Sequence, residues 1–322
     1  MGERLMKKLV LMLIAVALLI SGCNPAAKEE AELRPLILTS IYPYELMVKE
    51  LVGDGARVRS LIPPNASVHT YSPQPSDLKD LNKADLIIVN GMGLEAMIEQ
   101  NLKSLKEKTI VVSELLGDLI ALDSLQQVRE HQMHQDDEHH DHHHAGADPH
   151  LWTSISMMQR LSMKLKGILA ERFTDLAPLV NHNYETLTRS LKEADEQIKR
   201  ERKGFDSPAL VTYHNSFHYF TREYDIDYLG WVQSSPGKEP TARQLSQLGE
   251  KIQSHKVKSI FIEPQQNPKS AEILAKEYKL EILSLDPIGY SFQPKSIAEL
   301  MLKNWQEMKK AFSPIPSAGD ED

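Results

Sequence analysis

Four side chains able to hold a metal ion stand just past stretches that read as strands, where ligands of open α/β sheets bind. They are His69 in Pro64-Asn65-Ala66-Ser67-Val68-His69-Thr70-Tyr71, His150 in Ala147-Asp148-Pro149-His150-Leu151-Trp152, His214 in Val211-Thr212-Tyr213-His214-Asn215-Ser216-Phe217, and Asp286 in Leu283-Ser284-Leu285-Asp286-Pro287. Two come from each half of the chain. Three neutral imidazole nitrogens and one carboxylate make a tetrahedral N/O set, with metal–nitrogen distances of about 2.0–2.1 Å if the ion is zinc. A single loop histidine is more commonly a surface hydrogen-bonding group, so the argument rests on their joint placement. Glu263 is a candidate fourth ligand or a group that orients a ligand histidine, and His218, four residues after His214, is an alternative of the same kind. Glu239 reads as structural or as a supporting group, and His182 and His255 read as exposed helix positions.

The chain has 322 residues and 13 histidines, and seven of these crowd one segment: His131, His134, His139, His140, His142, His143 and His144. They are mixed with Asp136, Asp137, Glu138 and Asp141, and residues 126–147 show no apolar periodicity. Such a segment cannot bury enough apolar surface to offset its ordering entropy, so a mobile loop is expected. Metal held there would be bound weakly and exchangeably, raising the local concentration beside His150.

Composition narrows the chemistry further. With 37 Lys+Arg against 45 Asp+Glu the formal charge is −8, which argues against a nucleic-acid partner and for a cationic one. Cys23 is the sole cysteine, so an internal disulfide and thiolate-built zinc fingers are both excluded. No His-Glu-x-x-His, Gly-x-Ser-x-Gly or P-loop motif is present, which weighs against a hydrolase or nucleotide enzyme.

The elements that must position these residues alternate between strand and helix patterns, the signature of parallel α/β architecture. Strands are expected at 36–40, 58–62, 85–89 and 109–112, and again at 209–212, 227–232, 259–262 and 281–284. Helices are expected at 44–52, 76–82 and 95–105 in the first half, and at 241–255, 270–278 and 296–312 in the second. Two lobes of about four strands each follow: 35–177, which includes the His-rich loop, and 205–313, with a polar tail at 314–322.

Between them, residues 178–204 carry apolar positions at Leu179, Tyr184, Leu187, Leu191, Ala194 and Ile198, with Pro178 suited to a first helical turn. One connecting helix of about 25 residues, roughly 38 Å long, is expected. It is stiffer than a flexible two-strand hinge, so small adjustments around a largely formed cleft site are expected.

Residues 1–22 place Arg4, Lys7 and Lys8 before a short apolar run, too short for a confident membrane span and suited to a signal peptide. The run ends in Ile20-Ser21-Gly22-Cys23, which resembles the bacterial lipoprotein box. That implies lipidation of Cys23, a tether over 23–34, and a chain anchored to the membrane in the cell envelope, outside the cytoplasm.

From about Pro35 to Phe312 the chain resembles the metal-binding lipoproteins of bacterial zinc and manganese ABC importers. The motifs that carry this are the His69 segment followed by residues 73–77, Asp148-Pro149-His150-Leu151-Trp152, Tyr213-His214-Asn215-Ser216-Phe217, Gly237-Lys238-Glu239-Pro240-Thr241 and Phe261-Ile262-Glu263-Pro264-Gln265. The resemblance implies two α/β lobes joined by one long helix, His69, His150 and His214 as ligands with Asp286 as the fourth, and delivery of the ion to a membrane ABC permease. Imidazole suits zinc where manganese favours carboxylate, and the His-rich loop points the same way, so Zn2+ is the expected cargo and Mn2+ the alternative. A monomer without enzymatic activity is expected; a zinc hydrolase and a metal-buffering adhesin are the rival readings.

Overall fold

The computed structural model describes residues 33–124, 148–233 and 240–312. The signal peptide, Cys23, nearly all of the tether, the seven loop histidines, residues 237–239 and the tail 314–322 lie outside the described residues.

The first lobe runs β1 (Leu36–Thr39), α1 (Tyr42–Val52), β2 (Arg57–Ser60), α2 (Pro75–Lys83), β3 (Leu86–Val89), α3 (Glu99–Ser104), β4 (Thr109–Val111) and α4 (Val112–Leu115). Two helices follow, α5 (Ile155–Arg172) and α6 (Ala177–Arg202). The second lobe runs β5 (Ala209–His214), α7 (His218–Glu223), β6 (Asp227–Gln233), α8 (Ala242–Ser254), β7 (Ser259–Ile262), α9 (Lys269–Tyr278), β8 (Glu281–Ser284) and α10 (Ile297–Lys309). Each lobe holds one four-stranded parallel sheet, and the two share a plan: β2-β1-β3-β4 and β6-β5-β7-β8.

The expected two-lobed architecture is present, with three local differences. The helix expected over 95–105 is broken into a 3-10 turn at Ala96–Ile98 and the short α3. Helix α5, absent from the sequence reading, buries Ile155, Met158, Leu161, Leu165 and Leu169 on one face, a three- and four-residue spacing. In α6, Val180 is buried whereas Leu179 is 37% exposed. Val180 lies two turns before Leu187, in line with Leu191, Ala194 and Ile198, and Leu179 is rotated off that stripe by about 100°.

Strand alternation explains how the lobes are joined. Ile37, Leu86 and Ile88 face one apolar cluster while Leu36, Leu38, Ile87 and Val89 face another on the opposite side of the first sheet. The second sheet divides likewise, with Leu210 and Phe261 on one side and Val211, Tyr213 and Ile260 on the other. The inward faces of both sheets belong to one continuous core, which also takes in the buried stripe of α6, helix α5, and Trp305 of α10. Helix α6 packs on α1 and α5 of the first lobe and on α10 of the second. Relative domain motion is the default only where the shared interface is small and polar; here it is large and apolar.

Candidate metal centre

Each histidine reaches the cleft by a different local device. His214 is the last residue of β5, and its ring follows from strand alternation. His150 precedes a 3-10 turn, Leu151–Thr153, whose Trp152 is fully buried and donates Nε1–H to the Pro287 carbonyl of the other lobe at 3.0 Å. The segment before it is clamped from both sides. Asn90, fully buried after β3, donates Nδ2–H to Pro149 O at 3.0 Å, and Tyr219 of α7 donates its hydroxyl to Asp148 O at 2.8 Å. Glu95 stabilises the Asn90 turn by accepting from the amides of Asn90 and Gly91 at 2.7 and 2.9 Å. His69 lies in the irregular segment 61–74 between β2 and α2.

The three rings meet. His150 Nε2 lies 3.2 Å from His69 Nε2 and 3.2 Å from His214 Nε2. A tetrahedral ion with metal–nitrogen bonds of about 2.0–2.1 Å separates neighbouring nitrogens by about 3.3 Å, so the spacing fits a zinc-sized centre. Among the described residues, these three form the cluster of metal-competent side chains, with ligand atoms within 4.8 Å of one another.

Carboxylates stand behind two of the rings. Asp148 Oδ1 lies 2.6 Å from His150 Nδ1 and also accepts the His150 backbone N–H at 3.0 Å. Glu263 Oε1 lies 2.8 Å from His214 Nδ1. Glu263 also accepts from Ser216 Oγ. A carboxylate on Nδ1 holds the proton there and leaves the Nε2 lone pair facing the cleft, the arrangement that orients metal-binding histidines.

Electrostatics separate the rings further. Burial, reinforced by the other two imidazoles, holds His69 down to about 2, so this ring is neutral at any physiological pH. Burial also pulls His214 downward, but the carboxylates of Glu263 and Asp148 outweigh it and the net shift is upward from 6.5. For Asp148, burial pushes upward and is outweighed by the His150 ring and amide, leaving the carboxyl below its ordinary value and charged. Replacing Asp148 with asparagine removes that charge while keeping the shape, and should weaken zinc binding by about 10–100-fold in a chelator-competition titration.

The remaining expectations fare differently. Asp286 does not join the cluster. It is fully buried, and the turn after β8 claims its carboxylate: Oδ1 accepts from the amides of Ile288 and Gly289 at 3.2 and 2.8 Å, and Oδ2 from Ser291 N and Oγ at 2.6 and 2.7 Å. A carboxylate offers about four lone-pair directions, and these contacts, together with Gln265 Nε2 at 3.3 Å from Oδ1, take them up. The reason is local: the Pro287–Ser291 turn folds back over its own first acidic residue. Glu263 sits behind His214 rather than beside the other Nε2 atoms. His218 faces Asp123, Nε2 to Oδ2 3.5 Å, and is not one of the clustered rings. The sequence reading missed Asn90 and Tyr219, whose signal, a polar residue at a strand or helix end, is common to many turns; it also missed Asp148 as a partner of His150, which the Asp-Pro-His order could have indicated.

The family model described as zinc-uptake complex component A, periplasmic, matches residues 37–311. A putative metal-binding protein of Thermotoga maritima is 28% identical over 308 residues, covering 95% of this chain and 99% of the relative. The high-affinity zinc uptake system protein ZnuA of Haemophilus ducreyi is 28% identical over 263 residues, covering 79% and 84%. Among solved structures, a zinc-bound deletion mutant of ZnuA superposes with a TM-score of 0.71 at 23% identity, covering 88% of this chain and all of that one. The solute-binding protein FpvC of Pseudomonas aeruginosa in complex with Mn2+ gives 0.68 at 22% identity, covering 86% and 98%, so the fold by itself does not choose the metal.

Proposed function

The chain belongs to the periplasmic zinc-uptake component A family, and from that membership we propose that it captures one Zn2+ outside the cytoplasmic membrane and delivers it to an ABC permease. The observation that carries the proposal is the convergence of three Nε2 atoms at zinc-compatible spacing. His69, His150 and His214 are the proposed ligands, and an all-imidazole set favours zinc over manganese. Binding rather than catalysis is favoured because Asp148 and Glu263 are both engaged with ring nitrogens, which leaves neither free to act as a general base. The apolar core shared by the lobes favours a largely formed site with small adjustments on loading. Lipid anchoring at Cys23 and metal capture by the loop histidines complete the proposal on sequence grounds.

In a strain lacking the gene, zinc uptake should be restored by the intact chain and not by a His214→Ala chain. Restoration by both would reject ligation by His214, and by neither would reject a role in uptake.

The pH dependence has a definite sign. A metal must displace any proton on Nε2, and the raised value of His214 means that its ring holds a proton more tightly than free histidine. Zinc affinity should therefore fall as pH drops through a point above 6.5, with His214 contributing about one power of ten per pH unit. His69, already neutral down to about pH 2, contributes none. Calorimetric titration between pH 8 and 5 reads this directly, and a flat profile contradicts it.

A further inference from the structure

The turn after β7 serves both halves of the metal centre, and Glu263 accounts for only one of them. Two residues on, Gln265 reaches the opposite lobe: its Nε2 donates to Pro64 O at 3.0 Å, and within its own lobe to Asp286 Oδ1 at 3.3 Å. Both partners are acceptors, so the amide orientation is forced: nitrogen faces Pro64 and Asp286, and Oε1 is turned elsewhere. That Oε1 is buried and has no partner. The side chain lines the same small cavity as His69, His150, His214 and Glu263.

Pro64 lies in the irregular stretch 61–74 that carries His69. Within that stretch the chain is held by local turns, Ala66 N to Pro63 O at 2.9 Å and Tyr71 N to Ser67 O at 3.0 Å. Such turns set its shape but not its position relative to the second lobe. His150 and His214 have that position set for them by Asn90, Tyr219 and the β5 strand, and their rings by carboxylates. For His69, Val68 is anchored in the shared core, and the bond from Gln265 to Pro64 O adds a directional cross-lobe tie. An error of about 1 Å in one ligand is enough to spoil a tetrahedral centre, so a bond that registers the His69 stretch on the second lobe controls how well the third nitrogen is presented.

We propose that Gln265 is a positioning residue for the metal centre, holding the His69-bearing stretch in register with the second lobe through the Pro64 carbonyl. The proposal rests on the three-histidine reading above. Gln265 touches neither the ion nor its ligand atoms; it limits how often His69 swings out, and so acts chiefly on the rate at which metal leaves.

The test compares the full chain with Gln265→Leu, which fills the space without the donor, and Gln265→Glu, which keeps the length, cannot donate to Pro64 O and is repelled by Asp286. In metal-free protein, hydrogen exchange of amides in 61–74 should rise about tenfold in both variants, with the amides of β5–β8 unchanged. Stopped-flow release of Zn2+ to a chelator should quicken by about tenfold, with the association rate unaltered. The cobalt(II)-substituted variants should keep the visible absorption bands of the unaltered chain, because the donor set is the same. Wild-type exchange in 61–74, or a rise spread evenly over the second lobe, overturns the proposal. If Gln265→Leu fails to fold, Gln265→Glu decides by the same readouts. Failure of the unaltered chain to take up Zn2+ would reject the metal-binding reading instead, and the metal-free exchange experiment still decides whether Gln265 registers the His69 stretch.

Discussion

Replacing His150 with alanine is expected to weaken zinc binding by at least about 100-fold, near 2.8 kcal/mol at 1.4 kcal/mol per factor of ten. His150 is the central ring of the three: its Nε2 stands 3.2 Å from each of the others, and its own position is clamped from both lobes through Pro149 and Asp148. Removing it deletes one of three nitrogens and also leaves Asp148, a buried charged carboxylate, without the ring it was holding. The loss should therefore include some stability of the metal-free protein, which separates this position from a surface ligand. His218→Ala is the matched control, because that ring faces Asp123 and should leave zinc affinity unchanged. Chelator competition and thermal melts on the two variants read both effects; equal affinity losses at 150 and 218 would refute the ligand assignment.

Trp305→Ala should unfold the protein more readily without touching the metal centre. Trp305 is fully buried in α10, its ring centroid lies 6.1, 6.4 and 6.1 Å from those of Phe205, Phe220 and Phe312, and its Nε1–H reaches Glu201 of α6 at 2.8 Å. Truncating a buried tryptophan costs about 3–5 kcal/mol, because the surrounding rings collapse only in part. At roughly 2–4 °C per kcal/mol, Tm should fall by roughly 6–20 °C. Glu201 keeps Lys309 at 2.6 Å and Gln197 at 2.8 Å, so no carboxylate is stranded. The core under Trp305 belongs to both lobes, so one transition should be lowered rather than one of two. A zinc-induced rise in Tm should persist in the variant, since stabilisation by a bound ion depends on its affinity and concentration. Loss of that rise would mean that the shared core transmits strain to the centre.

Much of the architecture follows from local pattern. Alternating strand and helix periods, with Pro178 opening a long amphipathic stretch, determine two parallel α/β lobes and a joining helix, since a strand face and a helix stripe must each be buried against something. Of the three proposed ligand histidines only His214 ends a strand; His69 lies in the irregular segment past β2 and His150 stands before a 3-10 turn and α5, so the expected strand-end placement holds for one of them and the motifs around the other two are what singled them out. Helix α5 was not read from the sequence, although Met158, Leu161, Leu165 and Leu169 carry its three- and four-residue spacing.

Other features belong to the tertiary structure. Asp286, like His214, stands at the end of a strand, yet the amides of its own following turn take its carboxylate. Nothing in the order of residues shows which acceptor a folded turn will satisfy first. Carboxylate support divides the rings in the same way: Asp148 is two residues from His150, but Glu263 is 49 residues from His214 and meets it only because β5 and β7 are neighbours in the sheet. Hydrogen bonding and charge act over a few ångströms, and sequence reports separation along the chain, so residue types and their periodicity are legible while the partner of each polar group is decided by packing.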